Sequence, residues 1–320
     1  MSWFISPARL RELGILGMNC RNIDFISRYN PRQLYTLVDD KLKTKQLARR
    51  NGIPVPPLRF VVREQYRIRQ VGRWFDNLNG FAVKPTKGSG GRGILIIKGR
   101  DGEAFVKSSG VHLRPEDLKR HLSNILAGLY SLAGTPDQVM VEELISFDAR
   151  FANYSYEGAP DIRVIVFQGY PVMAMLRLAT RASDGKANLH QGAVGVGLDI
   201  ATGRCLKAVQ YSRPLSVHPD TGCAFDQIEL PEWPEILRLA ARCNEMTGLG
   251  YLGTDFILDE KRGPLLLELN ARPGLAIQVA NGSGLLPRLR RIEQLRKRHV
   301  RVEDRVRFAM EAFGQPQLAP

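Results

Sequence analysis

A predicted β-hairpin late in the chain carries three oxygen-bearing side chains: Asp255, Glu268 and Asn270. If its turn centres on Lys261 and Arg262, Asp255 faces Glu268 across the strands, with Cβ atoms about 5 Å apart. Because strand side chains alternate, Asn270 lies on the same face as Glu268. Two opposed carboxylates repel each other, and a divalent cation would remove that repulsion. Ligands that are all oxygen favour magnesium over zinc.

The same hairpin also fits a structural role, with a polar face in solvent and an apolar face on the core. Apolar residues alternate with the acids, which is compatible with either interpretation: Phe256, Leu258, Leu265, Leu267 and Leu269. The segment ELNARPG, residues 268–274, favours the metal site.

A glycine-rich segment, Gly88–Gly93, matches the pattern GxGxxG. A dinucleotide site needs a strand before this pattern and a helix after it, whereas strands are predicted here on both sides, at 81–84 and 94–98. The Gly-Lys-Ser/Thr ending of a Walker loop is missing. The segment therefore fits either an ordinary flexible hairpin or a loop whose backbone N–H groups lie across a polyphosphate.

Positive charge surrounds this loop at Lys84, Lys87 and Arg92. Lys84 stands in an otherwise apolar strand, where an unpaired ammonium group would be costly. We therefore expect Lys84 to face an anion.

Composition fits a folded protein of one multi-lobed unit or two domains: 320 residues, 44% hydrophobic and 24% charged. Neither a secretory signal nor a membrane span is predicted, so we expect a cytoplasmic protein. The four cysteines are widely spaced and predict neither a zinc site nor a disulfide framework. The formal net charge of +14 predicts an anionic partner, and nucleotides, acidic peptides, nucleic acids and lipid headgroups all fit.

The elements that must position these residues mix helices and strands without strict alternation, which predicts an α+β fold. Helices are predicted at 39–50, 115–132 and 233–247 after short helical pieces in residues 1–40. Strands are predicted at 55–62, 81–84, 94–98, 139–144, 162–167, 172–178, 253–258 and 264–269. The strands 162–167 and 172–178 are predicted to form a hairpin that turns at Gln168 and Gly169. The basic run 288–307 has helical spacing of Leu289, Ile292 and Leu295, and predicts an amphipathic helix whose charged face is solvated or binds a partner.

Together these segments resemble the ATP-grasp superfamily, most closely the branch of glutamate ligases that includes the ribosomal-protein glutamate ligase. The resemblance covers residues 39–290 and rests on motifs in family order. These are DKLKTK at 40–45 with GIPVP at 52–56, VKP at 83–85 with the loop 87–93, VEELI at 141–145, DIR at 161–163, NLHQG at 188–192 and the metal hairpin.

The resemblance assigns roles to particular residues. It implies magnesium ligands at Asp255, Glu268 and Asn270, with two Mg²⁺ ions that Mn²⁺ can replace. It also implies an ATP site, with Lys41 on the phosphates, a covering loop, and a hinge strand that holds adenine. The residues concerned are Lys41, Lys84, Lys87, Gly88, Ser89, Gly90, Gly91, Glu142, Glu143, Leu144, Ile145 and Asp161.

The fold implied is a pair of α+β lobes that clasp ATP, usually after a separate α/β domain. Only about forty residues precede Asp40, so a truncated segment is expected in that domain's place. The expected divisions are a helical segment 1–39, an N-terminal lobe 40–143, a C-terminal lobe 144–290 and a basic helix with tail 291–320. Related short ATP-grasp proteins are associated with sugar or cell-envelope chemistry.

The activity implied is ligation of a carboxylate to an amine, on a protein or peptide acceptor, through an acylphosphate. Arg272 or Arg177 would stabilise the oxyanion, because guanidinium offers a fixed fork of donors. Arg163 and Arg177 fit surface salt bridges equally well. His190 could orient substrate or act as a base, or be a structural hydrogen-bonding residue.

Two other functions use the same residues. A kinase that phosphorylates a hydroxyl would share the ATP and metal sites. A basic module that binds nucleic acid or acidic membrane would use ATP only structurally, but the sequence lacks a recognised nucleic-acid motif. A homo-oligomer is compatible with each interpretation.

Overall fold

The computed structural model describes residues 6–70, 74–75, 78, 80–88, 90–131 and 134–315. The described chain divides into two compact units. The large unit contains the residues up to Asp39, residues 47–54 and the residues from Phe147 onward. The small unit contains residues 40–46 and 55–146.

The α-helices are, in chain order, α1 (Pro7–Glu12), α2 (Met18–Cys20), α3 (Ser27–Tyr29), α4 (Thr36–Asp39), α5 (Lys41–Arg50), α6 (Pro115–Leu126), α7 (Trp233–Thr247), α8 (Ile277–Asn281), α9 (Leu286–Glu293) and α10 (Val302–Phe313). A π-helix, Arg21–Ile26, joins α2 to α3. Short 3-10 helices lie at Arg32–Leu34, Gln65–Gln70, Ala149–Tyr154, Leu189–Gln191 and Phe225–Gln227. None of the helices described has the length and apolar character needed to cross a bilayer.

The strands are β1 (Leu58–Val62), β2 (Phe81–Pro85), β3 (Leu95–Asp101), β4 (Ala104–Lys107), β5 (His112–Leu113), β6 (Val139–Glu143), β7 (Asp161–Phe167), β8 (Tyr170–Leu178), β9 (Val194–Leu198), β10 (Cys205–Gln210), β11 (Arg213–Leu215), β12 (Tyr251–Asp259) and β13 (Gly263–Asn270). Helices and antiparallel sheets are mixed, so the predicted α+β class is confirmed.

The small unit is built on a six-stranded sheet in the order β1-β6-β2-β3-β4-β5. Helix α6 carries apolar residues at helical spacing, Leu118, Leu122 and Ile125, and all three are buried against the sheet core. Strands β2 and β3 pair antiparallel on either side of the glycine-rich segment. The predicted strand–loop–strand arrangement is therefore confirmed, and it differs from the strand–helix arrangement of a dinucleotide fingerprint.

The large unit is built on a seven-stranded antiparallel sheet in the order β11-β10-β9-β8-β7-β12-β13. The turn between β7 and β8 lies at Gln168 and Gly169, as predicted, and both residues have positive φ, 52° and 82°. Such a turn matches the twist of the strands that it joins. Helix α7 has the predicted bounds and ends at Gly248, whose φ of 71° is typical of a helix C-terminus.

The β12–β13 hairpin reaches the predicted pairing by a different route. Asp259 faces Gly263, which leaves a three-residue turn and makes the predicted two-residue turn wrong. A bulge between Asp255 and Phe256 then shifts the register by one residue. Asp255 therefore faces Glu268 as predicted.

The prediction that the basic run 288–307 forms a single helix is wrong. Helix α9 ends at Glu293 and α10 begins at Val302, with non-helical chain between them. The break has a tertiary cause, because the backbone N–H of His299 donates to the hydroxyl of Tyr170 at 2.9 Å rather than to a helical carbonyl. The tail predicted at the end of the segment 291–320 extends beyond the described residues, which end at residue 315.

Gly197 of β9 tests how closely the sheet packs on α8. An added Cβ would lie 2.4 Å from the carbonyl oxygen of Ala280, so Gly197→Ala should lower the free energy of unfolding. We expect a loss of about 1–3 kcal/mol by chemical denaturation. Gly274→Ala is the matched control, since its Cβ meets nothing within 4 Å, and should change stability by less than about 0.5 kcal/mol. Equal effects of both substitutions would contradict the packing described.

Candidate active site

A buried carboxylate lies at the centre of the large unit's polar cluster. Asp255 is 1% exposed and faces Arg163 of β7 in the strand register. Arg163 donates through Nε to Oδ1 at 2.7 Å and through Nη2 to Oδ2 at 2.5 Å. Arg177 of β8 adds a third contact, with Nη2 2.9 Å from Oδ2. Burial alone would raise the pKa of Asp255, but the two guanidinium groups lower it, so the carboxylate is ionised.

Asp161 extends the cluster from the first position of β7. It faces Arg177 in the register and accepts from it through both carboxylate oxygens, with Nη2 2.7 Å from Oδ2. Burial, together with the negative charge of Asp255, raises the pKa of Asp161 to about 6 against the opposing effect of Arg177. The side chains of Arg163 and Arg177 are each 12% exposed and held in ion pairs with buried or largely buried carboxylates, so neither forms a surface salt bridge.

Glu268 and Asn270 complete the group on β13. The Asn270 amide nitrogen lies 3.3 Å from Oδ2 of Asp255 and 3.4 Å from Oε1 of Glu268. The fold thus gathers the three side chains predicted to bind magnesium. Within the described residues no group of three or more His, Cys, Asp or Glu forms a metal site, and here the third donor is an amide.

The donor set fits magnesium, which prefers carboxylate and carbonyl oxygens. An ionised carboxylate has about four lone-pair sites, and the arginines occupy three of those on Asp255. The Asn270 amide nitrogen contacts the fourth, so a cation would have to replace that amide nitrogen. Rotation of the Asn270 amide would present its oxygen in place of its nitrogen.

A second buried carboxylate, Glu142 of β6, organises the small unit. It is 2% exposed and pairs with Lys84 Nζ at 2.8 Å and Lys45 Nζ at 2.7 Å. The expectation that Lys84 faces an anion is met within the protein by this carboxylate. Burial would raise the pKa of Glu142, but the two ammonium groups lower it below its ordinary value.

Hydrogen bonds hold the first residues of the glycine-rich loop in place. Lys41 donates through Nζ to the carbonyl of Gly88. Asp137, which is buried, accepts from the backbone N–H of Lys87 at 3.0 Å. The Lys87 ammonium group donates to the carbonyl of Pro136 at 3.1 Å, rather than pointing along the loop.

The tip of the loop is open. Gly90 and Gly91 have positive φ, and an added Cβ at either would meet nothing within 4 Å. Ser89, predicted to cover the phosphates, lies outside the described residues.

The predicted adenine hinge follows the end of β6. Glu143 pairs with Arg59 at 2.6 Å, and Leu144 and Ile145 are half-buried. The Glu142 carboxylate is directed to lysines, so its predicted contact with adenine stays a prediction.

Two other predicted catalytic residues lie on the surface of the large unit. Arg272 is exposed beyond β13, with its guanidinium carbon 5.2 Å from the centre of the Tyr35 ring. His190 is exposed on a 3-10 helix, where its backbone N–H donates to Oδ1 of Asn188 at 3.0 Å. Their roles in chemistry stay predictions.

Sequence reasoning missed two residues that hold the small unit's site. Lys45 lies one helical turn after Lys41 on α5, and that spacing of four residues is the signal that could have found it. Asp137 precedes β6 in a segment without any motif, so its contacts with Thr86 and Lys87 could not be predicted.

Glu142 and its neighbour Glu143 form a matched pair for testing the buried lysine site. Glu142→Gln leaves two buried ammonium groups without their counter-charge, so we expect the free energy of unfolding to fall by about 3–5 kcal/mol. Glu143→Gln removes a half-exposed ion pair and should cost at most about 1 kcal/mol. Comparable losses in urea denaturation would contradict the assignment of the counter-charge to Glu142.

The lowered pKa of Glu142 also predicts that the stability of the protein depends on pH. The pKa of Glu142 is lowered in the folded state from its ordinary value of 4.5, so its stabilising effect is present above that pH. The effect is lost as the pH falls through the folded-state pKa. The stability gap between the wild type and Glu142→Gln should therefore shrink when unfolding is measured at successively lower pH below 4.5, and a constant gap would contradict it.

Comparisons with known proteins identify the family of this chain. A family model described as sugar-transfer associated ATP-grasp matches residues 20–294. A probable alpha-L-glutamate ligase of Maridesulfovibrio salexigens is 24% identical over 274 residues, covering 85% of this chain and 65% of that protein. Another, of Syntrophotalea carbinolica, is 24% identical over 247 residues, covering 76% of this chain and 59% of that protein. The chain thus spans less than two thirds of the length of these relatives.

Among solved structures, D-cycloserine synthetase DcsG aligns with a TM-score of 0.49 and 15% identity, covering 82% of this chain and 71% of that chain. The family match covers the metal hairpin, the glycine-rich loop and the lysine site together. The chain belongs to the sugar-transfer associated ATP-grasp family.

Proposed function

We propose that this chain is an ATP- and magnesium-dependent ligase that joins a carboxylate to an amine through an acylphosphate. The observation that carries the proposal is the buried, ionised Asp255 opposite Glu268 and beside Asn270. The naming of its relatives as probable alpha-L-glutamate ligases supports the same reaction class.

Asp255, Glu268 and Asn270 would hold the metal, as two Mg²⁺ ions or with Mn²⁺ in their place. Magnesium, when bound, neutralises charge on the phosphates of ATP during phosphoryl transfer. Arg163 and Arg177 keep Asp255 ionised and fix its orientation, because three contacts restrain its two oxygens. They act here as positioning residues.

Lys41 and Lys84 would bind the phosphates of ATP. An ammonium group carries three donors, so a lysine that pairs with Glu142 can still donate to a phosphate oxygen. Glu142 fixes Lys84 and Lys45 in place, and the loop of Gly88, Gly90 and Gly91 offers backbone N–H groups that no Cβ obstructs.

In the first step the substrate carboxylate attacks the γ-phosphorus of ATP, the bond to the bridging oxygen breaks, and ADP leaves. In the second step the amine attacks the carbonyl carbon of the acylphosphate. Inorganic phosphate then leaves and the amine loses a proton. Arg272 would stabilise the oxyanion of the second step, and His190 would accept the proton or orient the amine.

Glutamate is the first carboxylate that we propose, by analogy with the named relatives, and a protein or peptide amine is the acceptor. The family's association with sugar transfer makes an amino sugar the second acceptor class to test.

Asp255→Asn tests the metal assignment. The substitution removes the charge but preserves the shape, so ADP release with glutamate and an amine should fall by about a hundredfold or more. Asp259→Asn is the matched control, since Asp259 is also buried on β12 but accepts from the backbone N–H groups of Lys261 and Arg262, which an amide oxygen can still do. It should keep most of the activity. Wild-type turnover in Asp255→Asn would overturn the assignment.

Product analysis separates the ligase from a kinase. A ligase needs carboxylate and amine together and releases ADP, phosphate and an amide, whereas a kinase yields a stable phosphate ester of a hydroxyl substrate. We expect an amide in mass spectra of reactions that contain glutamate with peptide or amino-sugar acceptors. A phosphate ester formed without an amine would replace the ligase with the kinase.

A further inference from the structure

A non-helical segment between α9 and α10, residues 294–301, carries the sequence QLRKRHVR and is here named the basic loop. Arg296, Lys297 and Arg298 follow one another and are all exposed. Within the described part of the chain, neither Arg296 nor Lys297 pairs with a carboxylate. Such a concentration of exposed positive charge attracts an anionic partner.

The basic loop is held in one position by His299. Its ring Nδ1 lies 3.0 Å from the hydroxyl of Tyr170, its backbone N–H donates to the same hydroxyl, and its ring packs on Phe308. His299 therefore points inward. The next residue, Val300, is 83% exposed, although a valine gains nothing from water.

The N-terminal helices, which are the helices within residues 7–29, lie directly beside α9, and α9 leads into the basic loop. Leu286 donates through its backbone N–H to the carbonyl of Gly14 at 3.1 Å. Arg290 of α9 pairs with Asp24 at 3.0 Å, and the Tyr29 hydroxyl donates to Glu293 at 2.6 Å.

Arg28 reaches the same glutamate at 3.7 Å. Acids on this surface are thus already paired within the protein, which leaves the basic loop in excess.

These N-terminal helices also expose aliphatic side chains. Ile23, next to the paired Asp24, is 68% exposed, and Met18 is 63% exposed. The surface therefore combines exposed cations, of which Arg298 also donates to the side chain of Gln168, with exposed aliphatic groups. Exposed aliphatic groups together with basic side chains are typical of protein surfaces that lie in the membrane interface.

We propose that this surface, formed by the basic loop and the N-terminal helices, docks the protein on an anionic phospholipid membrane. Arg296, Lys297 and Arg298 would meet the headgroups, while Val300, Ile23 and Met18 enter the boundary with the acyl chains. Nucleic acid supplies the same negative charge, but a phosphate backbone gives aliphatic side chains nothing to contact, and single strands are bound through aromatic platforms. The combination with aliphatic groups therefore favours lipid.

Co-sedimentation of the full chain with lipid vesicles tests this inference. One set of vesicles contains phosphatidylcholine alone and the other contains equal parts of phosphatidylcholine and phosphatidylglycerol. We expect binding to the anionic vesicles only, weakened by salt. Neutralising the loop with Arg296→Gln, Lys297→Gln and Arg298→Gln should lower the partition coefficient on the order of a hundredfold at low salt.

The matched charge control is the triple substitution Arg63→Gln, Arg69→Gln and Lys98→Gln, which removes the same charge from exposed positions of the small unit. It should bind nearly as the wild type does. Equal losses in both triple variants would overturn the proposal, because net charge alone would then explain binding.

Val300→Ser separates lipid from other anions. It should weaken binding about fivefold through lost apolar contact, whereas Val111→Ser, at a valine that is also exposed, should not. Thermal melting checks that each variant is folded. Absence of vesicle binding by the wild type, or binding to a DNA duplex that is stronger than binding to vesicles and insensitive to Val300→Ser, would overturn the membrane surface.

Discussion

Burial of a charged carboxylate is the constraint on which the large unit's polar cluster depends. Asp255 sits almost entirely out of water on a strand with neighbours on both sides, and an isolated ionised group there would be prohibitively costly. Arg163 and Arg177 on two successive strands supply the compensation. Together the two arginines hold an ionised oxygen donor next to Glu268 in one orientation.

The small unit also buries a carboxylate, but there the basic side chains outnumber the acidic ones. A single buried carboxylate, Glu142, holds Lys45 and Lys84, so the site has an excess of positive charge for a polyphosphate. In the large unit, three carboxylates exceed two arginines and leave an excess of negative charge for a cation. The small unit's site is therefore net positive, and its proposed ligand, a polyphosphate, is negative. The large unit's site is net negative, and its proposed ligand, a metal cation, is positive.

Local patterns predicted the elements well, because turn residues and alternation act over a few positions. The hairpin at Gln168 and the pairing of Asp255 with Glu268 are examples, although a bulge rather than the turn sets the second. Contacts between residues that are distant in the sequence could not be predicted. The pairing of Asp255 with arginine depends on the order of the strands in the sheet. The break before Val302 depends on Tyr170, which is distant in the sequence.

The most direct test is to locate the metal itself. Crystals grown with Mn²⁺ and a non-hydrolysable ATP analogue would give an anomalous difference map in which manganese is unambiguous. We expect a peak about 2.1 Å from oxygens of Asp255, Glu268 and Asn270. A map with manganese elsewhere, while both oxygens of Asp255 remain bound by Arg163 and Arg177 alone, would contradict it.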